Sequence, residues 1–222
     1  MATAIYAKGV ETGRGGGNGV APAPGYVTYE EFLDQTAGGD FAEWEDGVIR
    51  RRDEVTTLAQ ISLGAFVMCL LHAHCEDNNA GTVVHAPYNM RLRQINRGRE
   101  PDIAVVTTAN LDRLTQKYMD GAADLAVEIV SPESETRDNE TKFAEYEACG
   151  VTEYWVLDPR TQSAQFWVLD AATGKYAQKS PDASGVYESA VLPGFWINVA
   201  WLWVSPLPTV RQVLAAWDAG TP

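Results

Sequence analysis

The chain has 222 residues, 45% hydrophobic, 10% aromatic and 21% charged, which excludes a disordered polymer, a fibre and a disulfide-stapled miniprotein. Against 30 Asp and Glu stand 17 Lys and Arg, leaving a net charge of −13, so the protein repels a phosphate backbone at long range. Contact with DNA or RNA therefore needs a local site, with metal ions to bridge like charges.

Gly13 to Gly25 contains six Gly and two Pro, too little apolar surface to offset the entropy of ordering. Residues 1–25 are expected to be a flexible leader, and 26–222 a single domain. The glycines do not make a phosphate loop, because no strand precedes them and no Gly-Lys-Ser/Thr follows. Thr28-Tyr-Glu-Glu31 is a capping-box pattern that opens a short helix. Phe41 to Arg50 reads as a hairpin turning at Asp46-Gly47. Asp53 to His74 is the expected long core helix, with Leu58, Ile61, Ala65, Met68 and Leu71 at helical spacing. Its apolar stretch, Leu58 to Leu71, includes Gln60 and Ser62; it is too short and polar for a membrane span and suits a buried helix.

Extended segments are expected at Thr82–Leu92 and Ile103–Thr107, then a polar, partly helical connection over Asn110–Asp124 and a strand at Leu125–Val130. A second helix is expected from Arg137 to Ala148, ended by Gly150. Strands follow at Glu153–Asp158 and Gln165–Leu169, and a closing helix at Pro208–Trp217. Six of the seven Trp lie between Trp155 and Trp217, consistent with packing in a C-terminal antiparallel layer. The order of elements predicts an α/β or α+β fold with a central mixed sheet. Cys69, Cys75 and Cys149 are an odd number at irregular spacing, and the N-terminus has no long apolar core; together these suggest a cytoplasmic protein.

The informative residues are two acids inside apolar runs. Glu128 interrupts Leu-Ala-Val-Glu-Ile-Val, apolar on both parities and so buried on both faces. A carboxylate there must be neutralised, paired or metal-bound. Asp102 opens Pro101-Asp-Ile-Ala-Val-Val, and Pro101 places it at a strand end or sheet edge. If these strands are neighbours, two carboxylates converge, and hard oxygen ligands suit Mg²⁺ or Mn²⁺. The alternative is that Glu128 pairs with a buried Arg or Lys while Asp102 caps a turn. Helical spacing puts Asp138, Lys142 and Tyr146 on one stripe, and a helix folding back over the strand could bring the Lys142 ammonium to the acids. Otherwise Lys142 is a surface lysine paired with Asp138 or Glu145.

Pro101-Asp102, Glu128-Ile-Val-Ser131 and Asp138-x-x-x-Lys142-x-x-x-Tyr146-x-x-x-Gly150-Val-x-Glu-Tyr-Trp155-x-x-Asp-Pro159 together resemble the Uma-type restriction-endonuclease-like family of the PD-(D/E)XK nuclease superfamily. Glu43-Trp-x-Asp-Gly47 matches its N-terminal motif, and the similarity runs from about Thr28 to Leu214. The resemblance implies a restriction-endonuclease-like core and Mg²⁺- or Mn²⁺-dependent hydrolysis of phosphodiester bonds in DNA; cleavage of a duplex would favour two related sites, so a symmetric homodimer is expected. It implies Asp102, Glu128 and the Ile129 carbonyl as metal ligands and Glu43 as an accessory ligand. Lys142 would orient or deprotonate the attacking water and stabilise phosphorane charge, standing in for the lysine usually found two residues after the acid, where this chain has Val130. Ser131 and Tyr146 are implied at the substrate.

Weaker signals remain. The run Cys69-Leu-Leu-His72-Ala-His74-Cys75 has zinc-ligand residue types, but on one helix they spread around the axis. His85 has no nucleophile-elbow sequence to accompany it. Arg91, Arg93, Arg97 and Arg99 read either as a solvated strand or as a phosphate clamp. Two other functions fit the residues: an inactive nuclease-like module that binds a partner, and a carboxylate-pair hydrolase acting on sugars.

Overall fold

A computed structural model describes residues 25–37, 39–52 and 56–220, so most of the leader and the expected helix start at Asp53 lie outside the described residues. In chain order the elements are helix α1 (Tyr29–Gln35), strands β1 (Ala42–Glu45) and β2 (Val48–Arg51), helix α2 (Leu58–Asn78), then strands β3 (Gly81–His85), β4 (Asn89–Leu92), β5 (Arg97–Arg99), β6 (Ile103–Thr107), β7 (Tyr118–Asp120) and β8 (Leu125–Ile129). Helix α3 (Lys142–Cys149) follows a π-type turn at Arg137–Thr141. Strands β9 (Glu153–Asp158), β10 (Ser163–Asp170), β11 (Lys175–Gln178), β12 (Val186–Glu188) and β13 (Trp196–Asn198) lead to helix α4 (Val210–Ala219).

Among the described residues the strands form a larger sheet, in the order β11-β10-β9-β8-β6-β3, a smaller one, β2-β1-β5-β4-β7, and the hairpin β12-β13. The larger sheet is mixed: β8 runs parallel to β9, with α3 as the crossover, while the β6–β8 and β9–β10 pairs are antiparallel. Its strands β6, β8 and β9 are buried on both faces. Val105, Leu125, Val127, Trp155 and Leu157 meet α2 and the C-terminal segment, whereas Ala104, Ala126, Tyr154 and Val156 meet the α3 side. The alternation puts Glu128 on the α3 face of β8.

Local chemistry explains the ends of the elements. The expected capping box of α1 is formed: the Thr28 hydroxyl accepts from the Glu31 N–H and the Glu31 carboxylate accepts from the Thr28 N–H. The hairpin turns at Asp46 and Gly47, both with positive φ, as a tight turn requires. Gly150 ends α3 with φ of 83°, the left-handed conformation of a glycine cap.

Three expectations change. The core helix runs from Leu58 to Asn78, set by a Thr57–Gln60 capping box. Its buried face is Leu63, Phe66, Val67, Leu70, Leu71 and Cys75, and Leu58 and Ile61 are 78% and 56% exposed. Because α2 is apolar nearly all round, several rows have helical spacing and spacing alone does not select the inner one. Although long and apolar enough to cross a membrane by length and composition, the helix lies against the larger sheet. The extended stretch Thr82–Leu92 is two strands on different sheets, parted at Pro87, which cannot donate to a ladder. Within the connection 110–124 runs β7, parallel to β4. The tryptophans pack as expected near the C-terminus: Trp155 stands edge-on to Phe166 and Tyr187, and Trp217 Nε1 donates to the Trp196 carbonyl at 2.9 Å.

Candidate active site

Extending the register Ile103↔Val127 places Asp102 across from Glu128 at the end of the β6–β8 pair. Asp102 is fixed there because its Oδ2 accepts from the Ile129 N–H at 2.7 Å. From α3, which crosses over the sheet, Lys142 reaches Glu128 Oε1 at 2.8 Å and Glu43 Oε1 at 3.1 Å, with Asp138 Oδ1 at 3.8 Å. The Lys142 side chain is 0% exposed, and those of Glu43, Glu128 and Asp138 are 3% or less. The expected convergence of Asp102, Glu128 and Lys142 is present, and the hairpin adds Glu43 to it.

The electrostatics divide the acids. Burial raises the Glu128 carboxyl to about 8, with Asp138 and Asp102 adding to the rise and Lys142 opposing it. Burial also works on Glu43, but Lys142, Arg99, Arg137 and Arg52 outweigh it and hold this group at about 2. Lys142 loses hydration, which favours the neutral amine, yet Glu128, Glu43 and Asp138 raise its affinity for the proton above the ordinary lysine value. At neutral pH the cluster is therefore an ammonium paired to the Glu43 carboxylate, with Glu128 tending to keep a proton. Tyr146 donates its hydroxyl to Glu128 Oε1 at 2.9 Å, so this oxygen receives two donors, while Glu128 Oε2 is buried with no hydrogen-bond partner.

Several implied roles change. Glu43 is not an open accessory ligand: Oε2 binds Arg99 Nη1 at 2.7 Å, while Oε1 faces Lys142 and accepts from the Glu100 N–H at 3.4 Å. Its carboxylate links Arg99 to Lys142. Tyr146, expected at the substrate, is 0% exposed and bound to Glu128. Ser131 is buried in a reciprocal turn, its N–H donating to Ser134 Oγ at 2.9 Å and its Oγ accepting from the Ser134 N–H at 3.0 Å.

In the arginine stretch each side chain has protein partners, and Arg93 is also 58% exposed. The Arg91 guanidinium lies over the rings of Tyr29 and Trp44, 4.3 and 4.4 Å from their centroids, and Arg93 forks onto Asp120. Arg97 bridges Asp46 and Glu145. Arg99, 1% exposed in its side chain, binds Glu43, Glu45 and, through two nitrogens, Glu145. It ties the hairpin to α3. Sequence reasoning did not single out Arg52 or Glu100, and it did not find the carboxylate partners of Arg99. The nearest signal was their adjacency to the hairpin and to Asp102, and the partners that define their roles lie about 50 residues away.

Among the described residues no three His, Cys, Asp or Glu side chains form a ready metal cluster. In the run from Cys69 to Cys75, Cys69 is exposed, and His74 is buried edge-on to Phe195 and Trp217. The acids nonetheless suit a hard divalent ion, which needs few protein ligands because it keeps waters. Asp102 and Glu128 supply carboxylates from adjoining strands, and the unpartnered Glu128 Oε2 is the kind of buried oxygen that a cation would satisfy.

A mixed sheet flanked by helices, with acids at the ends of two adjoining central strands and a lysine from the crossover helix, defines a restriction-endonuclease-like α/β protein. The fold is shared with the crystal structure of a "putative nuclease belonging to DUF820" from Anabaena variabilis, at a TM-score of 0.60 and 13% identity, covering 77% of this chain and 96% of that one. The chain belongs to the Uma2 family, described as "Putative restriction endonuclease", whose model matches residues 29–200. No curated protein matches it.

Proposed function

We propose that the protein is an endonuclease that hydrolyses phosphodiester bonds in DNA with Mg²⁺ or Mn²⁺, acting as a symmetric homodimer. The reading rests on one observation: a wholly buried ammonium, Lys142, held 2.8 Å from Glu128 on the strand adjoining Asp102. Asp102, Glu128 and the Ile129 carbonyl would hold the ion, which when bound supplies an acidified water and neutralises charge on the phosphorane. Lys142 keeps its proton, because three acids surround it. It therefore acts as a donor to developing negative charge and not as the base that takes the water's proton. Glu43, locked by Arg99, holds the ammonium in place, and Tyr146 orients Glu128. Family membership and fold support the nuclease class. A two-fold dimer suits cleavage of two antiparallel strands.

Plasmid nicking with Mn²⁺ tests the reading. Asp102→Ala and Lys142→Ala should each lose at least ~10²-fold in rate, the size of a missing charge-stabilising group. Equal nicking by wild type and both variants overturns it. One observation favours a second reading, a module that binds without turnover: Asp102 is engaged by Arg52 and Glu128 is closed off from solvent. Mn²⁺ binding without nicking by the wild type would select that reading.

A further inference from the structure

Arg52 follows β2, its backbone N–H donating to the Phe41 carbonyl at 2.9 Å. Its side chain reaches from the hairpin to the site. Nη2 meets Asp102 Oδ1 at 3.2 Å, and Nη1 donates to the Glu100 carbonyl at 3.3 Å. Asp102 is the most open acid of the cluster, with 24% of its side chain exposed, and Arg52 beside it is 14% exposed. The other cations are placed differently. Lys142 and Arg99 are sealed among carboxylates, and Arg137 faces Asp138 at 3.6 Å. A chain with a charge of −13 has to supply its phosphate-binding charge locally, and Arg52 stands beside the most exposed acid of the cluster.

We infer that Arg52 is the phosphate-binding cation of the site and that the metal-free protein stores it on Asp102. This rests on the metal reading above. A divalent ion held by Asp102 and Glu128 would compete with the guanidinium for the Asp102 carboxylate, and the two cations would repel. Arg52 has a long side chain and a planar fork of donors suited to a phosphate's oxygens, so the anion that follows the metal into the site becomes its new partner. In this scheme metal and phosphate bind cooperatively. Without metal, Asp102 and Arg52 neutralise each other and the site attracts neither ligand strongly.

The test uses the full chain, with Mn²⁺ binding followed by electron paramagnetic resonance and DNA binding by anisotropy of a fluorescein-labelled duplex in Ca²⁺. Arg52→Gln should bind Mn²⁺ about tenfold more tightly, because its competitor is gone, and should bind the duplex about tenfold more weakly, the size of one charge-assisted hydrogen bond. Arg52→Lys keeps the charge without the fork and guards against a folding defect in the first variant. It should leave Mn²⁺ affinity near wild type and weaken the duplex several-fold. Suppose the wild type binds Mn²⁺ and Asp102→Asn abolishes that binding, yet both Arg52 variants match the wild type in the two titrations; then the inference about Arg52 alone is overturned. If the wild type binds no Mn²⁺, or Asp102→Asn binds it equally well, the metal reading falls and this inference with it.

Discussion

Glu128 and Glu153 are the same side chain, both 0% exposed, on the two parallel central strands of the larger sheet. They are satisfied in opposite ways. Glu153 accepts from Trp155 Nε1, Tyr187 OH, Ser189 Oγ and the N–H groups of Ala190 and Val191, at 2.7 to 2.9 Å, using both oxygens and no cation. This knot pins the segment before β13 to the sheet. Glu128 has two donors on Oε1 and none on Oε2, in a neighbourhood of other acids. The contrast is between a carboxylate whose hydrogen bonds are complete within the protein and one at the same depth with an oxygen that no protein group contacts.

Three experiments would break or sharpen that contrast. The largest effect on stability is expected from Lys142→Met, which removes the ammonium that Glu43 Oε1 and Glu128 Oε1 face. Removing one partner of a buried pair costs about 3–5 kcal/mol, measurable by urea unfolding. Next is the acid limb of stability. The Glu43 carboxyl titrates near 2 in the folded chain, against 4.5 for the free group, so its contribution is full above about pH 4.5 and disappears as pH falls through 2. That difference corresponds to about 3 kcal/mol, which wild type should lose on acidification and Glu43→Gln should not. The smallest effect is the most discriminating. Glu153→Gln places amide hydrogens against donors and should cost about 1–3 kcal/mol while leaving Mn²⁺ binding intact. Glu128→Gln should change stability by less than about 1 kcal/mol, because the site already favours a neutral group, yet abolish Mn²⁺ binding. If the two substitutions behave alike, the distinction between the two carboxylates fails.

Much of this was legible from local pattern. Strand β9 begins and ends at the residues its composition suggests, the capping box at Thr28 is formed, and the burial of Glu128 follows from apolar residues on both parities around it. The approach of Lys142 to the acids required only a strand, a crossover helix and their rise per residue. What escaped depends on pairings distant in sequence. Arg91 and Arg99 look like surface charge until β5 is known to pair with both β1 and β4, which brings aromatic rings and three glutamates around them. The inner row of α2 was hidden for a different reason: the helix offers apolar residues on nearly every side, so only its partners decide which row is covered.

The hairpin brings a last consequence. Arg99 clasps Glu43 and Glu45 on one side and Glu145 on the other, so the environment of Lys142 is drawn from positions 43, 99, 128 and 145 of the polypeptide. A ribosome must therefore release the crossover helix before these groups can meet. The cluster is therefore assembled only after most of the protein has been made, and a product that lacks either end of this clasp cannot form it.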